Sequence, residues 1–166
     1  MMKQFRTYLI AAVALLGFQT INAQAKTAHV DVREIMTKMP AVLEAQNQLK
    51  KLSDTYTADY KTMVDEYQAK LKKYDAEAGT VTDAVNQTRQ QEVQDMGKRI
   101  GDFQETAQKD LQKKEADLMK PIEDKVKASI QKVGKAKGFQ YILNASDLLL
   151  ADGPDLTADV KKDLGF

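Results

Sequence analysis

The hydrophobic positions of this chain fall into two long helical stripes, framed at both ends by short runs of β-like pattern. Ala28-His29-Val30-Asp31-Val32 alternates around β-branched valines, the pattern of a short strand. Asp31 is placed to cap a following helix, and Glu34 three residues on completes a capping-box arrangement. A short helical turn through Ile35 and Met36 then reaches Pro40. Proline is tolerated in the first turn of a helix, so a much longer helix is expected to start there.

No residue interrupts that helix before about Ala78. Its stripe is Leu49, Leu52, Tyr56, Tyr60, Met63, Tyr67, Leu71, Tyr74 and Ala78. The spacing is an 11-residue repeat, about 3.67 residues per turn, which predicts a nearly straight or slightly right-handed helix. At about 1.5 Å per residue it extends on the order of 60 Å. Gly79 is expected to end it in the left-handed conformation, and Thr80 or Thr82 to cap the next helix, making this the hairpin tip.

The second helix is expected from about Asp83 to Val133. Its stripe runs through Val85, Arg89, Val93, Met96, Ile100, Phe103, Ala107 and Leu111, then Leu118, Ile122, Val126, Ile130 and Val133. Asp110/Lys114 and Glu123/Lys127 are spaced to add i,i+4 support, and Pro121 to kink the helix. Gly97 and Gly101 each cost about 1 kcal/mol relative to Ala in mid-helix. They read equally well as a close helix–helix approach or as a soft point.

Beyond the second helix, Phe139 to Asn144 and Leu148-Leu149-Leu150 read as two strands joined by a polar turn around Ala145-Ser146. Asp152-Gly153-Pro154 reads as a turn and Thr157 to Leu164 as a closing helix. The hairpin lets the three strand candidates meet in one sheet. The expected fold is α+β and mostly α, a hairpin over 40–134 standing on a base built from 24–39 and 135–166.

Composition adds the compartment. Lys3 and Arg6 precede the apolar stretch Tyr8 to Phe18, which is shorter than the roughly 20 residues a bilayer span needs. Residues 1–23 therefore read as a signal peptide cleaved after Ala23 or Ala25, which implies export. With no Cys there is neither a disulfide framework nor a lipid-attachment site. Without Lys3 and Arg6 the 25 basic residues fall to 23 against 24 acidic ones, a net charge near −1. Nucleic-acid binding is not indicated, and membrane association is expected to be weak or indirect at most.

Catalysis has little to work with. His29 is the only histidine, and there is no phosphate-binding glycine loop or nucleophile elbow. Carboxylates are spread along helix faces, so no enzyme activity, metal site or cofactor is expected. Asn86-Gln87-Thr88 and Asn144-Ala145-Ser146 match a glycosylation sequon and carry little weight.

Most stripe residues should pack against the sister helix, yet a long two-helix hairpin has little core and open flanks. Tyr and Met make amphipathic, adaptable contact surface. The candidate partner contacts are Tyr56, Tyr60, Met63, Tyr67, Leu71 and Tyr74 on the first helix, with Val81, Val85 and Met96 beyond the tip. A sheet of three short strands is marginal alone. Val30, Val32, Ile35, Ile142, Leu143 and Leu149 would gain burial by assembling with copies of themselves.

His29-Val30-Asp31-Val32-Arg33-Glu34-Ile35-Met36 with Met39-Pro40, Lys120-Pro121-Ile122, the run from Val126 through Leu143, and Asp155 to Leu164 together resemble the Skp/OmpH family of periplasmic chaperones. The likeness covers essentially the whole mature chain. It implies a homotrimer whose hairpins project as tentacles around a cavity for unfolded outer-membrane proteins, holding them passively without nucleotide. The best-known members are strongly basic, and this near-neutral chain departs from them. Lys50-Lys51, Lys72-Lys73 and Lys113-Lys114 read as solvated helix face. The competing expectation is a structural spacer or adaptor whose hairpin docks one folded partner.

Overall fold

The computed structural model describes residues 25–166; the expected signal peptide over 1–23 lies outside the described residues. Strand β1 (Thr27–Val30) leads into helix α1 (Val32–Lys38), then α2 (Pro40–Glu77), a 3-10 turn (Ala78–Thr80) and α3 (Asp83–Ala136). Strand β2 (Tyr141–Asn144), a second 3-10 turn (Ala145–Asp147) and helix α4 (Thr157–Leu164) complete the chain.

Local chemistry sets most boundaries. Asp31 caps α1, its Oδ1 accepting from the Glu34 N–H at 2.8 Å. Glu34 does not return the bond; its carboxylate instead meets Lys38 at 3.0 Å and Lys161 at 2.5 Å, while the Asp31 N–H donates to Thr157 Oγ1. Met39 is extended, as the residue before a proline must be, and Pro40 opens α2.

At the tip Gly79 is not left-handed: α2 tightens into the 3-10 turn, Asn86 Nδ2 donates to the Ala78 carbonyl, and Thr82 caps α3. The left-handed glycines sit in the base, Gly138 at φ 74° and Gly165 at φ 93°. Gly138 N–H bonds to Lys135 O and Phe139 N–H to Gly134 O, a Schellman ending that turns the chain out of α3 three residues past the expected stop.

β1 and β2 pair in parallel, Thr27 opposite Tyr141 through Val30 opposite Asn144. Parallel strands need a long crossover, and the whole hairpin supplies it. Leu148–Leu150 is not a strand. The other edge of β1 is taken by the later segment: His29 N–H donates to Pro154 O, and Leu156 N–H to His29 O, both at 2.9 Å. Leu149 and Leu150 are left facing solvent.

The core lies in the base. Ile35 and Val160 are fully buried and Val30 nearly so, packed with Met39, Val42, Val126, Val133 and Leu156. Gly134 lets the Ile142 side chain of β2 lie close on α3, because a Cβ there would run into it.

Along the hairpin the stripe of α2 runs through Leu49, Leu52, Tyr56, Tyr60, Met63, Tyr67, Lys70, Tyr74 and Glu77, all half-buried except Tyr60, which is exposed at its margin. The outer half therefore follows the alternating 3 and 4 spacing of a coiled-coil seam, not the expected 11-residue repeat. Lys70 and Glu77 turn inward where Leu71 and Ala78 were expected, and Leu71 is 40% exposed. Consecutive steps of four remain at Leu52-Tyr56-Tyr60, opposite another such pair at Phe103-Ala107-Leu111. The expected Asp110/Lys114 and Glu123/Lys127 pairs do not form; Asp110 accepts from Tyr56 instead, and Lys120 pairs with Asp124.

Close approach does not explain the mid-helix glycines. A Cβ at Gly97 would meet Tyr67 at an ordinary 3.9 Å, and one at Gly101 would meet nothing. Gly97→Ala with Gly101→Ala should therefore stabilise the hairpin by roughly 1–2 kcal/mol, read as a higher urea midpoint. Destabilisation would show that the helices come closer than this geometry.

Candidate functional site

Three features of the surface stand out. The first is a groove of about 670 Å³ along one face of the hairpin, at the double step of four on both helices. Such steps locally unwind a coiled-coil seam, which fits an opening at this point. Its half-buried or buried floor is Leu49, Tyr56, Phe103, Ala107 and Leu111; Thr57, Tyr60, Gln104, Gln108 and Gln112 form the exposed rim. Tyr56 stands edge-on to Phe103 with centroids 5.8 Å apart, and its hydroxyl donates to Asp110 at 3.0 Å. That bond to a carboxylate raises the Tyr56 pKa above its ordinary value.

The second is a polar knot near the tip. Lys70 and the Tyr74 hydroxyl both bond Glu92, and Arg89 pairs with Glu77 at 2.5 Å while lying 4.6 Å from the Tyr74 ring centroid. Lys70 first, and Tyr74 after it, hold the Glu92 carboxyl below its usual range. Arg89 Nη1 is buried without a hydrogen-bond partner among the described residues, facing a cost that the aromatic contact partly offsets. These pairs cross from α2 to α3 and tie the register of the hairpin.

The structure thus sorts the candidate contacts. Tyr56 and Tyr60 meet in the groove, while Met63 and Met96 share a smaller hollow with Ile100. Tyr74 belongs to the knot, Tyr67 lies against Gly97, and Met96 is buried inside the hairpin. Leu71 and Val85 are exposed near the tip, and Val81 is half-buried. The rim glutamines were not singled out in the sequence; their signal is three amides at i, i+4 and i+8 beside the apolar stripe.

The third is the outer surface of the base. Val30 and Ile35 fill the chain's own core and leave nothing to offer a second copy, correcting their expected place at an interface. Val32 is half-buried beside Met36, Val126 and Ile130, and Ile142 is half-buried against Gly134. Leu143 is 43% exposed and Leu149 fully exposed, and Tyr141 and Leu150 are exposed as well.

Ion pairs close the base. Hydrogen bonds from Lys161 first, and from Lys38, lower the Glu34 pKa; Lys132, then Ser129, lower that of Asp163. Burial works to raise Asp155, but Thr157 donates to it from both Oγ1 and N, and with His29 nearby the net shift is downward. Depressed native carboxyls stabilise above the unfolded values, about 3.9 for Asp and 4.3 for Glu. That contribution is lost as pH falls through the lower native values. Thermal midpoints should hold steady from neutral pH to about 5 and fall below about 4; a midpoint that rose on acidification would contradict these pairings.

Among the described residues no helix is long and apolar enough to cross a membrane, and no group of three or more His, Cys, Asp or Glu is placed to hold a metal. No curated protein matches the chain. A solved protein of Caulobacter crescentus, provisionally named an outer membrane chaperone (OmpH-like), shares its fold at a TM-score of 0.77 and 16% identity. The match covers 84% of this chain and 83% of that one. The profile of the family described as outer membrane protein (OmpH-like) matches residues 26–164, and on that span the chain belongs to the OmpH-like family.

Proposed function

We propose that this protein is an ATP-independent periplasmic holdase chaperone that binds unfolded outer-membrane proteins and keeps them from aggregating. The observation that carries this reading is the groove. A hairpin of two long helices, rooted in a small well-packed base, leaves Leu49, Tyr56, Phe103 and Leu111 open along one flank and not sealed beneath a third element. Membership of the OmpH-like family and the likeness to a protein named as a chaperone support it. Weak apolar contacts of this kind, repeated over several hairpins, hold a client by multivalency.

Repetition comes from self-association. Among the described residues β2 pairs with β1 alone and leaves its outer edge open, Tyr141 and Leu143 of β2 are exposed, and so are Leu149 and Leu150 in the segment that follows. A free edge with apolar neighbours is a template for another chain. We take this surface as the interface of a homotrimer, with the three hairpins enclosing a client cavity.

The test is dilution of a denatured outer-membrane β-barrel protein into buffer with and without the mature chain. Light scattering should be suppressed at about one trimer per client. Full aggregation in its presence would leave only a structural spacer, and a monomeric mass in solution would remove the cavity.

A further inference from the structure

We propose that the hairpin groove is a binding site for a short, extended, uncharged polypeptide segment, whose backbone is held by the α3 glutamine amides while alternate side chains rest on the apolar floor. This deepens the chaperone reading and rests on it, naming the feature of the client that the site takes.

Charge is the first argument. Of the residues lining the groove only Lys50 and Glu115 are charged; both lie at the end nearer the base, and Lys50 is already paired with Asp54 at 2.6 Å. The nearby Asp110 carboxylate is occupied by the Tyr56 hydroxyl. A charged side chain set over the Tyr56–Phe103 floor, away from Glu115 at the base end, would lose water without gaining a partner there, which is costly. An apolar or hydroxylic one would lose nothing.

Spacing is the second. Gln104, Gln108 and Gln112 recur every four residues along one rim. Four helical residues rise about 6 Å, close to the roughly 6.6 Å between alternate residues of an extended chain. Each amide both donates and accepts, so it can pair with a peptide N–H or C=O whatever the client's sequence. From Leu49 to Tyr60 the groove spans on the order of 16 Å, room for about five extended residues. Alternating apolar residues along such a segment would set every second side chain on the Tyr56–Phe103 floor.

The experiment uses the full mature chain and fluorescent peptides of about seven residues in anisotropy titrations. One peptide alternates Val or Tyr with Thr and carries no charge; two others place Lys or Asp at the Thr positions; a fourth is the neutral peptide with N-methylated backbone. The neutral peptide should bind about tenfold tighter than either charged one, with under about twofold change between roughly 0.05 and 0.5 M salt. N-methylation, and the triple variant Gln104→Ala, Gln108→Ala, Gln112→Ala, should each weaken it by about tenfold. The triple change keeps the helix, since alanine is the stronger helix former.

Equal or tighter binding of a charged peptide overturns the proposal, as does indifference to N-methylation. A triple variant that alters the solution mass and leaves peptide binding intact overturns it too, and assigns the groove to a second copy of the chain. Client aggregation suppressed without any peptide binding would overturn this site and leave the chaperone reading standing. Failure of both would overturn both.

Discussion

Ile35→Ala should lower the stability of the base by about 2–5 kcal/mol. Ile35 is fully buried among Val30, Met39, Val42 and Val126, at the point where the N-terminal segment meets the feet of both long helices. Truncation removes apolar contact and leaves a cavity that two rigid helix ends cannot close. At roughly 2–4 °C per kcal/mol for a chain of this size, the thermal midpoint should drop by about 5–20 °C. Circular dichroism melts of the mature protein read it directly. Leu149→Ala, at a fully exposed position, is the control within the chain and should leave a monomer's midpoint unchanged. A loss below about 1 kcal/mol at Ile35 would mean that the core is not where the burial places it.

The second large effect is functional. Leu49→Ser with Tyr60→Ser removes apolar surface from the two ends of the α2 wall of the groove, and Tyr60 is exposed enough for the hairpin to tolerate its loss. At about 1.5 kcal/mol of client contact per side chain, the pair should weaken client holding by on the order of a hundredfold per hairpin. Leu71→Ser is the matched comparison, since Leu71 is as exposed as Tyr60 but lies toward the tip outside the groove. It should hold clients nearly as well as the unsubstituted chain. Equal loss at both places would mean that any exposed apolar residue serves, and that the groove has no special part.

Much of this was legible in the sequence because the signals were local. Pro40 after extended Met39, the caps at Asp31 and Thr82, and the run of periodic residues between them set helix ends without help from distant parts. What escaped depended on the sister helix. Lys70 and Glu77 look like surface residues until Glu92 and Arg89 stand opposite them, so the stripe was traced through Leu71 and Ala78 instead. The consecutive steps of four are written in each helix, but that they fall opposite one another, which marks the groove, shows only with both helices aligned. At the base, Leu148–Leu150 carries strand residues, but the edge it might have joined was taken by Pro154–Leu156. Gly134 lay just past the expected end of the second helix, and its place beneath Ile142 of β2 shows only in the folded chain.

The near-neutral charge takes on meaning through the groove. An uncharged floor and amide rim do not need a basic protein to attract clients. The family resemblance alone would have suggested electrostatic capture.

The central claim is that unfolded clients lie in the hairpin groove, and site-specific photo-crosslinking tests it most directly. A photoreactive residue at Gln108 on the rim is compared with one at Lys61, an exposed position of α2 outside the groove. With an unfolded outer-membrane protein present, position 108 should capture client strongly and position 61 weakly, with the contrast lost when client is omitted or already folded. Equal capture from both positions, or capture from 61 alone, would contradict the account.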